Sequence, residues 1–227
     1  MAALIARLRA TWLSSITDAE ASDLAAAWVQ RMIPLIMAYR ARSASLARTS
    51  YRSQREAVIG RVPGFVDPGP DDIPEDALAT SLAATGIAEY LHDRYELGKS
   101  HQEALERSAT TVAGAGAKHA LNGGRSFMQR AIASDIVAVG WYRVTKLGAC
   151  SFCAVLASRG AVYREDSFDD SDPRFEGGGE EKVHDHCACT LAPLFTRTQE
   201  VEPRNLEYQA LWYRAVKADQ EDVDKGR

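Results

Sequence analysis

The sequence contains no run of about eighteen apolar residues, which is the length that a membrane-spanning helix requires. The longest apolar cluster, residues 28–39, is interrupted by Gln30, Arg31 and Pro34. The first residues also lack the basic region and apolar core of a secretory signal. We therefore expect a protein that contacts no membrane and is synthesised in the cytoplasm, and its 227 residues are enough to bury a sizeable core.

Cysteine is scarce as well, because the chain has only four and all of them lie within forty positions. They form a C-x-x-C pair and a C-x-C pair, with 33 residues between the pairs and two histidines beside the second pair. The residues of this window are Cys150, Cys153, His184, His186, Cys187 and Cys189. Two close pairs brought together across a loop can build a tetrahedral thiolate site. The window therefore holds most of the functional information in the sequence.

The first interpretation of the window is a structural zinc site. Zinc binds cysteine and histidine ligands tetrahedrally, and closed four-ligand sites are structural rather than catalytic. The four cysteines are the candidate ligands, and His184 or His186 is able to replace one thiolate. The C-x-C spacing and the long gap between the pairs depart from the common zinc-finger pattern.

Two other interpretations stay open beside zinc. Two disulfides between the first and second pairs would staple the same loop and contribute about 3–4 kcal/mol in the chain-entropy model, but they require an oxidising compartment. One nucleophilic cysteine with a neighbouring histidine as base is the third interpretation. Two paired thiols and the lack of an orienting third group argue against such a nucleophile.

Residues 141–195 place these cysteines within a longer ordered pattern. The C-x-x-C pair is followed by a Gly-x-x-Tyr step, and then by a histidine three residues before the C-x-C pair; the matching residues are Cys150, Cys153, Gly160, Tyr163, His184, Cys187 and Cys189. This pattern resembles the C-terminal motif of the phage Mu head morphogenesis (MuF-like) minor capsid proteins, most of all the versions in tailed phages of actinobacteria. His186 falls where that family often has another polar residue, so it ranks below His184 as a ligand.

The resemblance covers about a quarter of the chain and implies a role without a known reaction. It implies a structural, low-copy virion protein in the phage head, near the portal or inside the capsid. The implied partners are the portal protein, the major capsid protein or both, with no small-molecule substrate. We accordingly expect a protein that is not an enzyme and that carries zinc, with disulfides as the alternative.

The net charge of −4 hides a basic N-terminal region. Residues 1–60 contain eight arginines, no lysine and four acids. The candidates for contact with DNA or a partner are Arg40, Arg42, Arg48, Arg52 and Arg55. A dedicated nucleic-acid domain is usually more strongly basic, so such contact would be weak and non-specific. The alternative function is therefore a zinc-binding, nucleic-acid-associated module that touches packaged DNA through this region.

The apolar spacing predicts a mainly α fold with a small α+β C-terminal unit. Helices are expected over the N-terminal two thirds, followed by a short three-stranded sheet that the Cys/His cluster staples. The predicted segments are a helical region at 1–62, a Pro/Gly linker at 63–74, a helical region at 75–137, the stapled MuF-like unit at 138–196, and a C-terminal helix and tail at 197–227.

Two helix interruptions are also predicted. Pro34 lacks the amide hydrogen that a helix interior needs, so we expect a kink or break just before it. Asn122, Gly123 and Gly124 favour the end of one helix, with another helix beginning at Arg125.

Overall fold

A computed structural model describes residues 1–71, 73–163 and 189–224. The fold is mostly helical, with 69% helix and a small antiparallel sheet, which confirms the mainly α prediction, while the stapling of the sheet by the Cys/His cluster stays a prediction. The α-helices are α1 (Ala2–Ser15), α2 (Ala21–Ile59), α3 (Glu75–Ala83), α4 (Glu89–Leu91), α5 (His101–Ser134), α6 (Ser151–Ala157) and α7 (Pro203–Asp224). The strands are β1 (Gly140–Val144), β2 (Val162–Tyr163) and β3 (Thr190–Leu194).

The described residues form two compact units that interleave along the chain. The first unit contains Met1–Leu46 and Pro70–Gly124, and the second contains Ala47–Gly69 and the described parts of 125–182 and 187–227. Helices α2 and α5 each contribute residues to both units. The five segments proposed from the sequence stay a prediction of domain organisation.

The first unit has an aromatic and aliphatic core. Leu4, Leu8 and Trp12 recur every four residues along α1, so they share one face of the helix, and all three are buried. The rings of Trp12 and Trp28 meet edge to face with centroids 5.0 Å apart, a geometry that contributes about 0.5–1.5 kcal/mol beyond the area buried. The Trp12 indole donates to Ser108 Oγ at 3.0 Å, so its polar atom is satisfied inside the core.

We expected a kink or a break just before Pro34. Helix α2 runs through Pro34 without a break, so the break is wrong. Pro34 is exposed, while Ile33 and Ile36 beside it are buried in the core. The carbonyl that proline leaves without a helical donor therefore lies on the water side. Burial of the opposite face holds the helix together.

Helix α5 also continues through Gly123 and Gly124, so the predicted end at these residues is wrong. Glycine is needed here for tertiary reasons, because a Cβ at Gly123 would overlap the carbonyl oxygen of Arg40. A Cβ at Gly116 would lie 2.5 Å from Leu8 Cδ1. The glycines let neighbouring helices approach closely, and this packing outweighs their cost of about 1 kcal/mol each in a helix.

Two π-helical segments, Ala84–Ala88 and His92–Glu96, flank α4 in the first unit. Gly86 in the first of them packs on Trp12, since a Cβ there would lie 2.7 Å from the indole ring. The second contains the buried Asp93. These widened turns place a small residue and a carboxylate against the core.

The sheet belongs to the second unit. Strands β1 and β3 pair in antiparallel fashion over five positions, from Gly140 opposite Leu194 to Val144 opposite Thr190. The two-residue β2 pairs with the other edge of β1 at Gly140 and Trp141. The apolar cluster on this sheet is small, with Tyr142, Ala192 and Leu194 as its buried members.

Among the helices of the described residues, none is long and apolar enough to span a membrane.

Candidate functional site

The C-x-x-C pair lies at the start of α6. Gly148, with φ of +69°, forms the turn that precedes the helix. Cys150 is the N-cap residue, and its Sγ accepts a hydrogen bond from the backbone N–H of Cys153 at 3.4 Å. Cys153 is buried and Cys150 is half-buried. A thiol at the cap position points toward the first turn, so this spacing places both sulfur atoms at one end of α6.

The third described cysteine, Cys189, comes immediately before β3. Cys189 and Leu191 are buried, whereas Thr190 between them is exposed, as expected for the alternation of an extended chain. The Cys189 carbonyl accepts a hydrogen bond from Arg125 Nε at 2.8 Å, which fixes its backbone. Because β3 pairs with β1 and α6 contacts β1, the three cysteines lie on or beside elements of the same small sheet.

Asn205 of α7 links β1 with α6 but was not singled out from the sequence. Its Nδ2 donates to the carbonyls of Arg143 and Ala157, both at 2.9 Å, and the residue is 1% exposed. An asparagine in the first turn of a helix is ordinarily interpreted as a capping residue. Its role in holding the strand to α6 depends on residues 48 and 62 positions away, for which the sequence has no local signal.

Arg143 is a second residue that the sequence analysis missed. It lies in the middle of β1 and is 5% exposed, and its Nε finds no hydrogen-bond partner among the described residues. Arg143 pairs with Leu191, and the alternation of β3 places Cys189 on the same face two residues earlier. Arg143 is therefore a buried charged residue in the middle of β1.

The remaining candidate ligands, His184, His186 and Cys187, lie outside the described residues. Within 1–71, 73–163 and 189–224, no group of three or more His, Cys, Asp or Glu side chains is arranged to hold a metal ion. Cysteine is a preferred zinc ligand whose bound form is anionic, so the three described cysteines are chemically suited to zinc, although they do not by themselves form such a group. The ligand set stays a prediction.

The five candidate arginines are spread along α2, and two of them are buried. Arg40 pairs with Asp71 and donates from Nη1 to the His119 carbonyl at 2.9 Å. Arg55 Nε lies 2.7 Å from Asp135 Oδ2, and its Nη1 donates to the Val62 carbonyl. These two guanidinium groups therefore stabilise the fold.

Arg48 and Arg52 share one carboxylate. Arg48 Nε and Arg52 Nη2 each lie 2.8 Å from Asp67 Oδ2, and Arg48 also stacks over the Phe127 ring. Arg42 is exposed and makes no ion pair with the described residues. Contact with DNA or a partner remains a prediction, to which the exposed Arg42 and Arg52 are best suited.

Asp135 anchors the second unit through a buried polar network. It is fully buried and accepts hydrogen bonds from Tyr51 Oη at 2.9 Å and Arg55 Nε at 2.7 Å. Burial alone would raise the pKa of Asp135, but the hydrogen bonds from Arg55, the Val137 amide and Tyr51 outweigh it and lower the pKa. Asp135 therefore stays ionised at neutral pH.

A second polar network, in the first unit, joins Asp18, Tyr90, Arg94 and His101. Tyr90 Oη donates to Asp18 Oδ1 at 2.7 Å and lies 2.7 Å from His101 Nδ1. The hydrogen bond from Arg94 and that from Tyr90 hold the pKa of Asp18 well below its usual range. Burial and the neighbouring Asp18 raise the pKa of Tyr90 to about 12. Asp18 and Tyr90 thus keep their ordinary charge states at neutral pH, as structural groups do.

The first unit also has an open surface depression of about 530 Å³. Its lining carries both signs of charge and includes no cysteine or histidine; the lining residues are Arg9, Glu89, Lys99, Glu103, Glu106, Arg107, Thr110 and Thr111. None of the residues proposed as ligands or contact residues lines it.

Comparison with known proteins identifies the family. The chain matches the model of the family described as VG15 protein over residues 1–216, which is nearly its whole length. No curated protein and no solved structure matches it. The chain therefore belongs to the VG15 family, a family of phage proteins.

Proposed function

We propose that this phage protein is a structural minor capsid and head morphogenesis protein of a tailed phage. It resides in the virion, near the portal or inside the capsid, and contacts the portal protein, the major capsid protein or both. Membership in a phage family over residues 1–216 is the observation that carries this proposal. The ordered cysteine and histidine pattern, which resembles the MuF-like motif, supports the assignment to the head.

The proposed role of the cysteine window is a structural zinc site. Its ligands would come from Cys150, Cys153, Cys187 and Cys189, with His184, or less favourably His186, able to replace a thiolate. The positions of Cys150 and Cys153 at the start of α6, which contacts β1, and of Cys189 beside β3 support this. Zinc would cross-link segments that have few apolar residues to bury, and it would perform no reaction.

Disulfides remain the alternative for the same cysteines, and they could form in the virion after its release from the cell.

The nucleic-acid-associated module is the weaker alternative function. Four of its five arginines are engaged by carboxylates of the chain itself, which leaves little free positive charge for a phosphate backbone.

The proposal is tested by quantitative mass spectrometry of purified proheads and mature virions. We expect peptides of this chain in both, at a low copy number relative to the major capsid protein. A phage lacking the gene should assemble fewer infectious particles. Absence of the chain from both proheads and virions would overturn the proposal.

A further inference from the structure

The chain that follows α2 forms a strap, residues 60–69, against residues of α2 and α5 within the second unit. It begins at Gly60, whose φ of +71° turns the backbone out of the helix. Phe65 of the strap stacks on Tyr51 of α2 with ring centroids 5.0 Å apart. Arg130 of α5 donates hydrogen bonds to the last two carbonyl groups of the strap, at 2.9 and 3.1 Å. These contacts fix the strap beside the arginines at the end of α2.

Asp67 of the strap lies between two of these arginines. Its Oδ2 is 2.8 Å from both Arg48 Nε and Arg52 Nη2. Its Oδ1 accepts a hydrogen bond from the backbone N–H of Gly69 at 3.0 Å, which holds the carboxylate in this position. One carboxylate therefore serves two guanidinium groups.

The surroundings of Asp67 keep an excess of positive charge. Residues 47–69 carry four arginines against two acids. Asp135 and Arg130, which contact this segment, add one charge of each sign. The segment therefore attracts anions even while Asp67 is in place.

Asp67 also leaves hydrogen-bonding capacity unused on the arginines. Arg48 Nε is shielded from water and makes no hydrogen bond with the described residues, although Asp67 Oδ2 is only 2.8 Å away. A phosphate group presents more acceptor oxygens than the single Oδ2 that the two arginines share, and arginine pairs with phosphate through two parallel hydrogen bonds. Phosphate therefore suits Arg48 and Arg52 better than Asp67 does.

A ligand in solution can reach this ion pair. The side chain of Arg52 is 58% exposed, that of Arg48 32% and that of Asp67 25%. Ion pairs with this exposure contribute little to stability, so Asp67 can leave the arginines without unfolding the strap. The ligand must still displace a carboxylate that is tethered beside the site at a high effective concentration. A polymer of linked phosphates does so more readily than a single phosphate ion.

We propose that Arg48 and Arg52 form a binding site for the phosphate groups of DNA, and that Asp67 occupies this site as an internal competitor in the free protein. Asp67 thereby keeps DNA binding by the wild-type chain weak. The inference goes beyond the proposed function, because it depends neither on a place in the phage head nor on a metal at the cysteines.

DNA binding by Asp67→Asn tests the competition. Fluorescence anisotropy at low salt, with a labelled duplex of about 20 base pairs, compares this variant with the wild-type full chain. Asp67→Asn should bind about fivefold more tightly, because the internal competitor is lost. Glu207→Gln is the matched control, since it removes the same charge from an exposed position of the same unit, and it should change the affinity less than about twofold. Equal affinities of the two variants would overturn the inference.

A second substitution assigns the gain to the arginines. Arg52→Gln in the Asp67→Asn background should return the affinity to the wild-type level or below. It should also reduce the slope of log affinity against log salt concentration by about 1, because one phosphate contact is lost. An unchanged slope would contradict a phosphate contact at Arg52.

Two competitors identify the chemistry of the ligand. Inorganic phosphate and poly-glutamate are titrated, at matched ionic strength, against the complex of Asp67→Asn with the duplex. Phosphate should displace the duplex, whereas poly-glutamate should be much the weaker competitor at the same concentration of charge. Equal displacement by poly-glutamate and unlabelled duplex would show a general attraction for acidic chains and refute a phosphate site. If the variant binds inorganic phosphate but no duplex, the phosphate site stands and its assignment to DNA fails.

Discussion

The first unit packs an apolar core around Trp12 and Trp28, whereas the second unit combines an aromatic core around Tyr51 and Phe195 with a larger share of the buried polar groups. The largest apolar cluster of the described residues lies wholly in the first unit, while the cluster on the sheet has three buried members. Of the twelve buried polar or charged residues that the structure describes, eight belong to the second unit.

This difference shows where specific chemistry matters in the chain. Apolar packing is distributed over many contacts, so one lost contact is shared among neighbours. Buried charges depend on one or two partners, and removing a partner leaves an uncompensated group at high cost. The second unit, which also carries the described cysteines, should therefore be the more sensitive to single substitutions and to the loss of a bound metal.

The largest expected effect comes from Cys153→Ser. A buried ligand is lost, and structural zinc contributes on the order of 10 kcal/mol to small zinc-dependent folds. Hydrogen exchange should show loss of protection in β1, β3 and α6, while α1 remains protected. Val155→Ala, a change at a partly exposed position of the same helix, is the control and should leave exchange unaltered. Equal exchange in both variants would contradict a stapling role for Cys153.

Asp135→Asn should destabilise the protein by about 3–5 kcal/mol, because Arg55 would be left buried without its counter-charge. The matched control is Asp67→Asn, which removes a partly exposed partner of two arginines and should cost about 1 kcal/mol or less. Urea unfolding at neutral pH measures both. Similar losses of unfolding free energy in the two variants would show that the buried Asp135–Arg55 pair is no more stabilising than the partly exposed pairs of Asp67.

The same carboxylate predicts an acid dependence. The pKa of Asp135 is lowered in the folded state, so its stabilisation is complete above the unfolded pKa of about 3.9 and is lost as pH falls below it. Between about pH 5 and pH 3, Asp135→Asn should therefore lose less stability than the wild type. Parallel pH profiles for the two proteins would contradict this assignment.

Gly123→Ala should destabilise the first unit by about 2–3 kcal/mol, because the new methyl group would overlap the rigid backbone of α2 at Arg40. Gly116→Ala is the matched control in the same helix. Its methyl group meets the end of the flexible Leu8 side chain, so the strain is offset by the better helix propensity of alanine. Thermal unfolding of the two variants tests the difference, and equal losses would refute close backbone packing at Gly123.

The smallest expected effect, and the most diagnostic, is that of Arg143→Met. Removing a buried guanidinium whose Nε has no described hydrogen-bond partner should stabilise the protein by about 1–2 kcal/mol. A higher midpoint of thermal unfolding than that of the wild type, measured with a chelator present, is the expected result. A loss of stability in the metal-free protein would show that Arg143 has a structural partner.

The sequence predicted elements that depend on local patterns. The predicted C-terminal helix within 197–227 corresponds to α7, and β1 and β3 lie within 138–196, the segment predicted as the small α+β unit. The two wrong expectations, a break at Pro34 and a helix end at Gly123, depend on what the neighbouring residues meet in three dimensions. Helix propensity favours an interruption of the helix at both places. Burial of Ile33 and Ile36 outweighs it at Pro34, and the close approach of the Arg40 backbone outweighs it at Gly123.

The candidate site was predictable in its cysteines but not in its surroundings. C-x-x-C and C-x-C are local spacings, so Cys150, Cys153 and Cys189 could be singled out directly. Asp135 and Arg55 are 80 positions apart, and Asn205 reaches carbonyls 48 and 62 positions away. Such pairings exist only after the chain has folded, and no periodicity in the sequence predicts them.

The central claim, that the cysteine window is a structural metal site, is tested most directly by native mass spectrometry. The chain is purified without reductant or added metal, and its native mass is compared with its denatured mass. If zinc is bound, the native spectrum should show about 65 Da of extra mass. A chelator should remove this mass, and the sheet should then lose its protection from hydrogen exchange. A mass about 4 Da below that of the reduced chain in both spectra would mean two disulfides and would contradict the metal site.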